Sequence, residues 1–135
     1  MKKISLTILC MVLLCLAAGC STEKLTTEKL RDIEFTVVDD DNIPEELEGM
    51  IDEKYDIPFK LTFADDGALY IAVGYGEQKT TGYSIEVTEL YETKNAIYIH
   101  TNLIGPAKEE KIVEIRTYPY IVVKLEFIDK NVVFQ

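Results

Sequence analysis

Few residues of this chain are equipped for chemistry. The one histidine, His100, lies between Ile99 and Thr101 in an alternating, strand-like run. Beyond residue 20 there are two serines, Ser21 and Ser84. Ser84 and His100 on neighbouring strands would be a minimal nucleophile and base. Yet Tyr83-Ser84-Ile85 is no nucleophile elbow, and a serine inside a strand has no oxyanion hole built beside it. His100 therefore reads as a solvent-facing strand residue. The acidic groups Asp39-Asp40-Asp41 and Asp65-Asp66 lack the alternating spacing and closing glutamate of a calcium loop; helix capping and turn formation account for them. Gly74-Tyr75-Gly76 sits between two strands with no helix after it, so it is no phosphate loop. These readings assign no catalytic residue, no metal ligand, no cofactor and no small-molecule substrate.

The elements around these residues are mostly strands. Ile33, Phe35 and Val37 alternate with Glu34 and Thr36, the pattern of a half-buried strand. A helix follows, with Asn42 as cap, Pro44 in its first turn, and Ile43, Leu47, Met50 and Ile51 on one face. Phe59, Leu61 and Phe63 alternate; Asp65-Asp66-Gly67 turns the chain; Leu69, Ile71 and Val73 return. Tyr83, Ile85 and Val87 alternate until the phase slips near Leu90, which indicates a bulge or the strand's end. Lys94-Asn95 turns into Ala96–Leu103, and Gly105-Pro106 breaks that strand. Ile112–Thr117, Tyr120–Phe127 and an edge strand over Val132–Phe134 complete the pattern. Short strands spaced about 8–12 residues apart predict a mainly β, β-rich α+β domain. Its form is an antiparallel sandwich or partly open barrel of about seven or eight strands with one N-terminal helix.

The N-terminal residues read differently. Lys2 and Lys3 precede an apolar run from Ile4 to Leu16, closed by Ala17-Ala18-Gly19. The run is shorter than the about 20 residues a membrane span needs, and it has the build of a signal peptide over residues 1–19. Leu16-Ala17-Ala18-Gly19-Cys20-Ser21 resembles a bacterial lipoprotein signal, with Leu16 one position further from the cysteine than is usual. That resemblance implies cleavage before Cys20 and lipid on its thiol. The partner would then be the membrane, and the location its extracytoplasmic face. Cysteines 10 and 15 would leave with the signal, so the remaining chain would have no disulfide and no free thiolate. Residues 20–32 follow as a polar tether in which Thr22-Glu23-Lys24-Leu25 recurs as Thr27-Glu28-Lys29-Leu30, and the folded domain is expected over 33–135. From Cys20 onward 12 basic residues face 24 acidic ones. Such a surface repels nucleic acid, which excludes it as a partner.

Tyrosine usage supplies the remaining signal: eight tyrosines and no tryptophan. Tyr75, Tyr83, Tyr118 and Tyr120 lie beside glycine or proline at predicted strand ends, where tyrosine closes a barrel rim or anchors a partner. Lys79-Thr80-Thr81-Gly82-Tyr83-Ser84-Ile85, taken with Thr117-Tyr118-Pro119-Tyr120, resembles the PrcB C-terminal domain family of protease-complex subunits. The resemblance covers roughly residues 33–128, with Thr81 where that family usually has glycine. It implies a non-catalytic accessory or stabilising subunit of an exported protease. The contact residues would be Thr80, Thr81, Gly82, Tyr83, Tyr118, Pro119 and Tyr120. Thr80-Thr81-Gly82-Tyr83 is also similar to the inhibitory loop of chagasin-type cysteine-protease inhibitors, although Gln78-Lys79 replaces their Asn-Pro. That likeness implies an inhibitor that plugs a protease cleft from a rigid sandwich. A structural envelope lipoprotein with no protease role is the third alternative.

Overall fold

The computed structural model describes residues 28–135. The segment expected to be a signal peptide, Cys20, and residues 21–27 of the expected tether lie outside the described residues. The strands are β1 (Lys29–Asp32), β2 (Thr36–Val37), β3 (Pro58–Asp65), β4 (Ala68–Tyr75), β5 (Ser84–Thr93), β6 (Ala96–Ile104), β7 (Tyr120–Glu126) and β8 (Asn131–Phe134), with one helix, α1 (Glu45–Asp52). They form two four-stranded sheets, ordered β1-β5-β6-β8 and β2-β7-β4-β3. The fold is thus a sandwich, mainly antiparallel, and not a closed barrel.

Two layers of apolar side chains hold it together. Between the sheets lie Ile33, Leu69, Ile71, Val73, Leu90, Ile97, Ile99, Val123 and Leu125. On the outer face of the second sheet, Ile43, Leu47 and Ile51 pack onto Phe59, Leu61, Tyr70 and Val122. β4 serves both layers, so residues 68–74 are all buried. Its odd-numbered residues enter the sandwich and its even ones meet the helix, consistent with the two-residue period of a strand. Burying side chains such as Leu47 and Ile71 contributes about 1.5–3 kcal/mol each. Gly74 faces the helix side, where a side chain would run into the Phe59 ring.

Turn chemistry follows the residue types. Asp66 and Gly67 have φ of 48° and 73°, and Asp65 pairs with Ala68 across them. That is the two-residue turn whose twist suits a hairpin. At the β5–β6 turn, buried Thr93 accepts from the Ala96 amide at 3.1 Å and donates to the Ala96 carbonyl at 3.2 Å. The phase slip in β5 is a bulge between Val87 and Glu89.

Several expectations need correction. Residues 29–32 are not the end of the tether: they pair with β5 as an edge strand. The alternating run 33–37 is not one strand. The Ile33 amide bonds the Leu90 carbonyl in the first sheet, and Thr36–Val37 pairs with β7 in the second. The chain changes sheets at Phe35, and Val37 is left outside, 60% exposed. Asn42 does not cap the helix. It belongs to a 3-10 turn, and Pro44 occupies the cap position with no side-chain hydrogen bond. β8 is an edge strand, as its residues indicate, but it runs parallel to β6. Residues 112–117 form no strand at all.

Candidate functional site

The strands all point the same two ways. β3 and β7 begin where β4 ends, and β5 begins where β6 ends. The segments 54–57, 76–83 and 105–119 therefore gather at one pole, and the turns at 66–67, 94–95 and 127–130 at the other. This brings Thr80–Tyr83 and Tyr118–Tyr120 to the same end of the molecule, though they are separated by some 35 residues of chain.

Backbone and side-chain hydrogen bonds stitch the two loops together. Gln78 and Thr117 exchange amide-to-carbonyl bonds of 2.8 and 2.9 Å. The Thr117 hydroxyl donates to the Thr80 carbonyl at 2.7 Å. The Thr81 amide donates to the Val113 carbonyl at 3.1 Å, and the Val113 amide donates back to the Thr81 hydroxyl at 2.9 Å. Arg116 and Glu77 add an exposed ion pair at 3.1 Å, a contact of small energetic weight. The Thr80 hydroxyl donates to the Thr81 carbonyl at 3.0 Å, so the hydroxyls of both Thr80 and Thr81, two of the expected contact residues, have partners within the molecule. Gly82 has a φ of 92° and lies against Pro106, where a side chain would collide. Glycine is needed there for backbone conformation and for close loop packing.

The tyrosines divide by face. Tyr83 is half-buried near Gly105. Tyr118 stacks edge-on against Tyr55, ring centres 5.0 Å apart. Pro119 is half-buried, and its carbonyl accepts from the Tyr75 amide at 3.1 Å. The Tyr75 hydroxyl in turn meets that of Thr101 at 2.6 Å, joining the two sheets. Tyr120 points to the helix side, tilted against Phe59, and its hydroxyl donates to Asp40 Oδ1 at 3.1 Å. Burial, aided by the Asp40 carboxylate, pushes its phenol up to about 12. Asp40 therefore accepts from Tyr120, which corrects the capping role expected of the 39–41 cluster.

Other chemistry-bearing residues are not assembled. Ser84 pairs with Ile104 and His100 with Glu89, so the serine and the imidazole stand four residues apart along the ladder. His100 contacts the Thr88 hydroxyl at the bulge. Among the described residues no group of three or more His, Cys, Asp or Glu is placed to hold a metal ion.

What sequence reasoning missed is an apolar ridge beside the stitched loops. Ile112, Val113 and Ile115 are 45%, 56% and 54% exposed, and Tyr55, Ile57 and Ile104 at the same pole are also exposed. The signal was the Ile-Val-Glu-Ile pattern itself, which reads as a half-buried strand until the absence of a pairing partner is known.

Residues 69–126 match the family described as PrcB C-terminal. That span runs from β4 to β7 and carries both stitched loops. No curated protein and no solved structure matches the chain. The likeness to the PrcB C-terminal family thus spans 58 of the 135 residues, the sandwich strands from β4 to β7 and the pole they carry.

Proposed function

We propose that this chain is a lipid-anchored, extracytoplasmic lipoprotein whose β domain is a non-catalytic interaction module, an accessory or stabilising subunit of an exported protease. The observation that carries the reading is the loop pole. Two family-matched loops are fastened to each other on a rigid sandwich and present half-exposed aromatic and apolar side chains. Rigid loops with aromatic anchors suit protein recognition because little conformational entropy is lost on binding. The Cys20 motif supports acylation, and acyl chains contribute about 0.8 kcal/mol per buried CH₂ to anchoring.

The reading is tested in two arms. Labelled fatty acid should enter the wild-type chain and not the Cys20→Ser variant. Deletion of the protein should shorten the lifetime of an exported protease that co-purifies with it, and the soluble domain from Ser21 onward should restore that lifetime only in part. An unchanged lifetime for every exported protease would remove the accessory role.

Intact Thr80-Thr81-Gly82-Tyr83 in a loop at one end of a sandwich supports a second reading, a chagasin-type inhibitor. In that case micromolar domain stops a papain-like protease, and full proteolysis at that concentration discards the idea.

A further inference from the structure

We infer that the arm between β6 and β7, carrying Ile112, Val113 and Ile115, is a docking surface that inserts apolar side chains into an uncharged cleft of a partner protein. The inference rests on the proposed lipid anchor and narrows the contact face of the proposed module.

Residues 105–119 form a fifteen-residue connection without helix or strand. Loops of that length inside a compact domain are uncommon and usually functional. The arm does not hang free: Thr81, Thr117 and Pro119 fasten its backbone to the loops behind it. The fastening uses backbone and hydroxyl groups and leaves the aliphatic side chains outside. Three large aliphatic residues held outward on a positioned backbone expose the apolar surface that a folded monomer ordinarily hides.

Charge indicates what kind of surface covers them. The loop segments 54–57, 76–83 and 104–119 carry five basic and five acidic side chains. The remaining described residues carry six basic and eighteen acidic ones. The arm's end is therefore net neutral on a strongly acidic domain, as are the turns 66–67, 94–95 and 127–130 at the other pole, so the excess acid lies on the faces between them. A partner approaches there without electrostatic penalty, and apolar burial drives the contact. Zero net charge gives no attraction to anionic headgroups, which disfavours a lipid surface.

The path of the chain separates the arm from the tether. Lys29 pairs with Thr93, at the pole opposite the arm. Nine residues from Cys20 to Lys29 span at most about 30 Å. β5 alone, ten residues long, spans about 33 Å between the poles. The tether thus enters at one end of the sandwich and the arm lies at the other, about a strand's length from the point where the chain emerges.

The test places a photo-crosslinking residue at position 113 or 115 of the full-length lipidated chain in its own cells, with position 91 as control. Tyr91 stacks on Tyr98 and belongs to neither core. The expected result is one protein adduct from 113 and 115 and none from 91. That protein, purified, should bind wild type with little change between about 50 and 500 mM salt. It should bind the Val113→Ser/Ile115→Ser variant at least about tenfold more weakly, with no change in the variant's denaturation midpoint. Equal adducts from 91, adducts only to lipid or to a second copy of this chain, no adduct, or affinity that collapses with salt would each overturn the proposal. If the adduct is a protein other than a protease, the docking surface stands and the protease reading falls. If a protease co-purifies but links elsewhere, the protease reading stands and the docking surface falls.

Discussion

Ile112-Val113-Glu114-Ile115 and Ile121-Val122-Val123-Lys124 are nearly interchangeable as sequence, yet one is solvent-exposed and the other is central to the fold. Val122 and Val123 are 1% and 0% exposed because β7 lies inside its sheet between β4 and β2, with Val123 facing the other sheet and Val122 facing the helix. The 112–115 segment has only the loop behind it, which touches it at Thr81 and again at Gln78–Thr117. That loop bends through positive φ at Gly76 and Gly82, so it offers isolated bonds and no continuous edge. β-propensity expresses itself only where a ladder and a buried face are available. Where neither is, the same residue types become a surface.

The sharpest way to break this contrast is truncation in the two regions. Ile71→Ala or Leu47→Ala should cost about 2–5 kcal/mol in urea denaturation, because each leaves a cavity in a closed core. Val113→Ala and Ile115→Ala should stay within about 0.5 kcal/mol of wild type. A loss above that for either arm residue would mean that the arm is packed after all.

Next in size come the glycines that shape each region. Gly74→Ala forces a methyl into the Phe59 ring and should cost about 1–3 kcal/mol, with part recovered by Phe59→Leu. Gly82→Ala meets Pro106 and a strained φ, and should cost about 1–3 kcal/mol. Gly82→Ala should also loosen the arm, read as faster amide exchange at Val113 and Thr117, whereas Gly74→Ala should leave those amides protected. Equal exchange in both variants would show that the loops do not depend on Gly82.

Smaller effects are expected at the titrating groups, one on each side of the comparison. Tyr120 sits between the arm and the helix, and its raised phenol should titrate near 12 by absorbance. A raised folded value means that its contribution is complete below the ordinary tyrosine value of about 10 and is lost as pH rises through 12. Tyr120→Phe should flatten that alkaline decline. Glu92 lies near the opposite pole, where Lys130 at 2.6 Å and Arg31 at 2.7 Å, in that order of influence, hold its carboxylate below the usual range. Its contribution is present above the ordinary glutamate value and fades as pH falls through the lowered one. Glu92→Gln should weaken the fold at neutral pH and converge with wild type in acid, a shift of the denaturation midpoint smaller than any above. A constant difference across the acid range would assign the effect to packing instead.

Much of the architecture is legible in the residues. Period-2 runs mark β3 to β7, Asp66-Gly67 marks its turn, and the Ile43-Leu47-Ile51 stripe marks the face of α1. The Thr81-Gly82-Tyr83 and Tyr118-Pro119-Tyr120 motifs mark the loops that meet. Their side chains, however, do not all face the same way: Tyr120 serves the helix layer, and the threonines serve the joint between loops. Sequence pairs the motifs, but hydroxyl and ring directions depend on neighbours far along the chain.

Residue order is enough to set which residues alternate, where the tight turns fall and how acidic the domain is, because these follow from local sterics and composition. Tertiary structure alone decided that the chain leaves one sheet for the other at Phe35, that β4 is buried on both faces, and that Ile112–Ile115 stays outside. Those outcomes depend on which strand edges are already occupied when a segment seeks a partner, and occupancy is a property of the assembled sheets, not of any one segment.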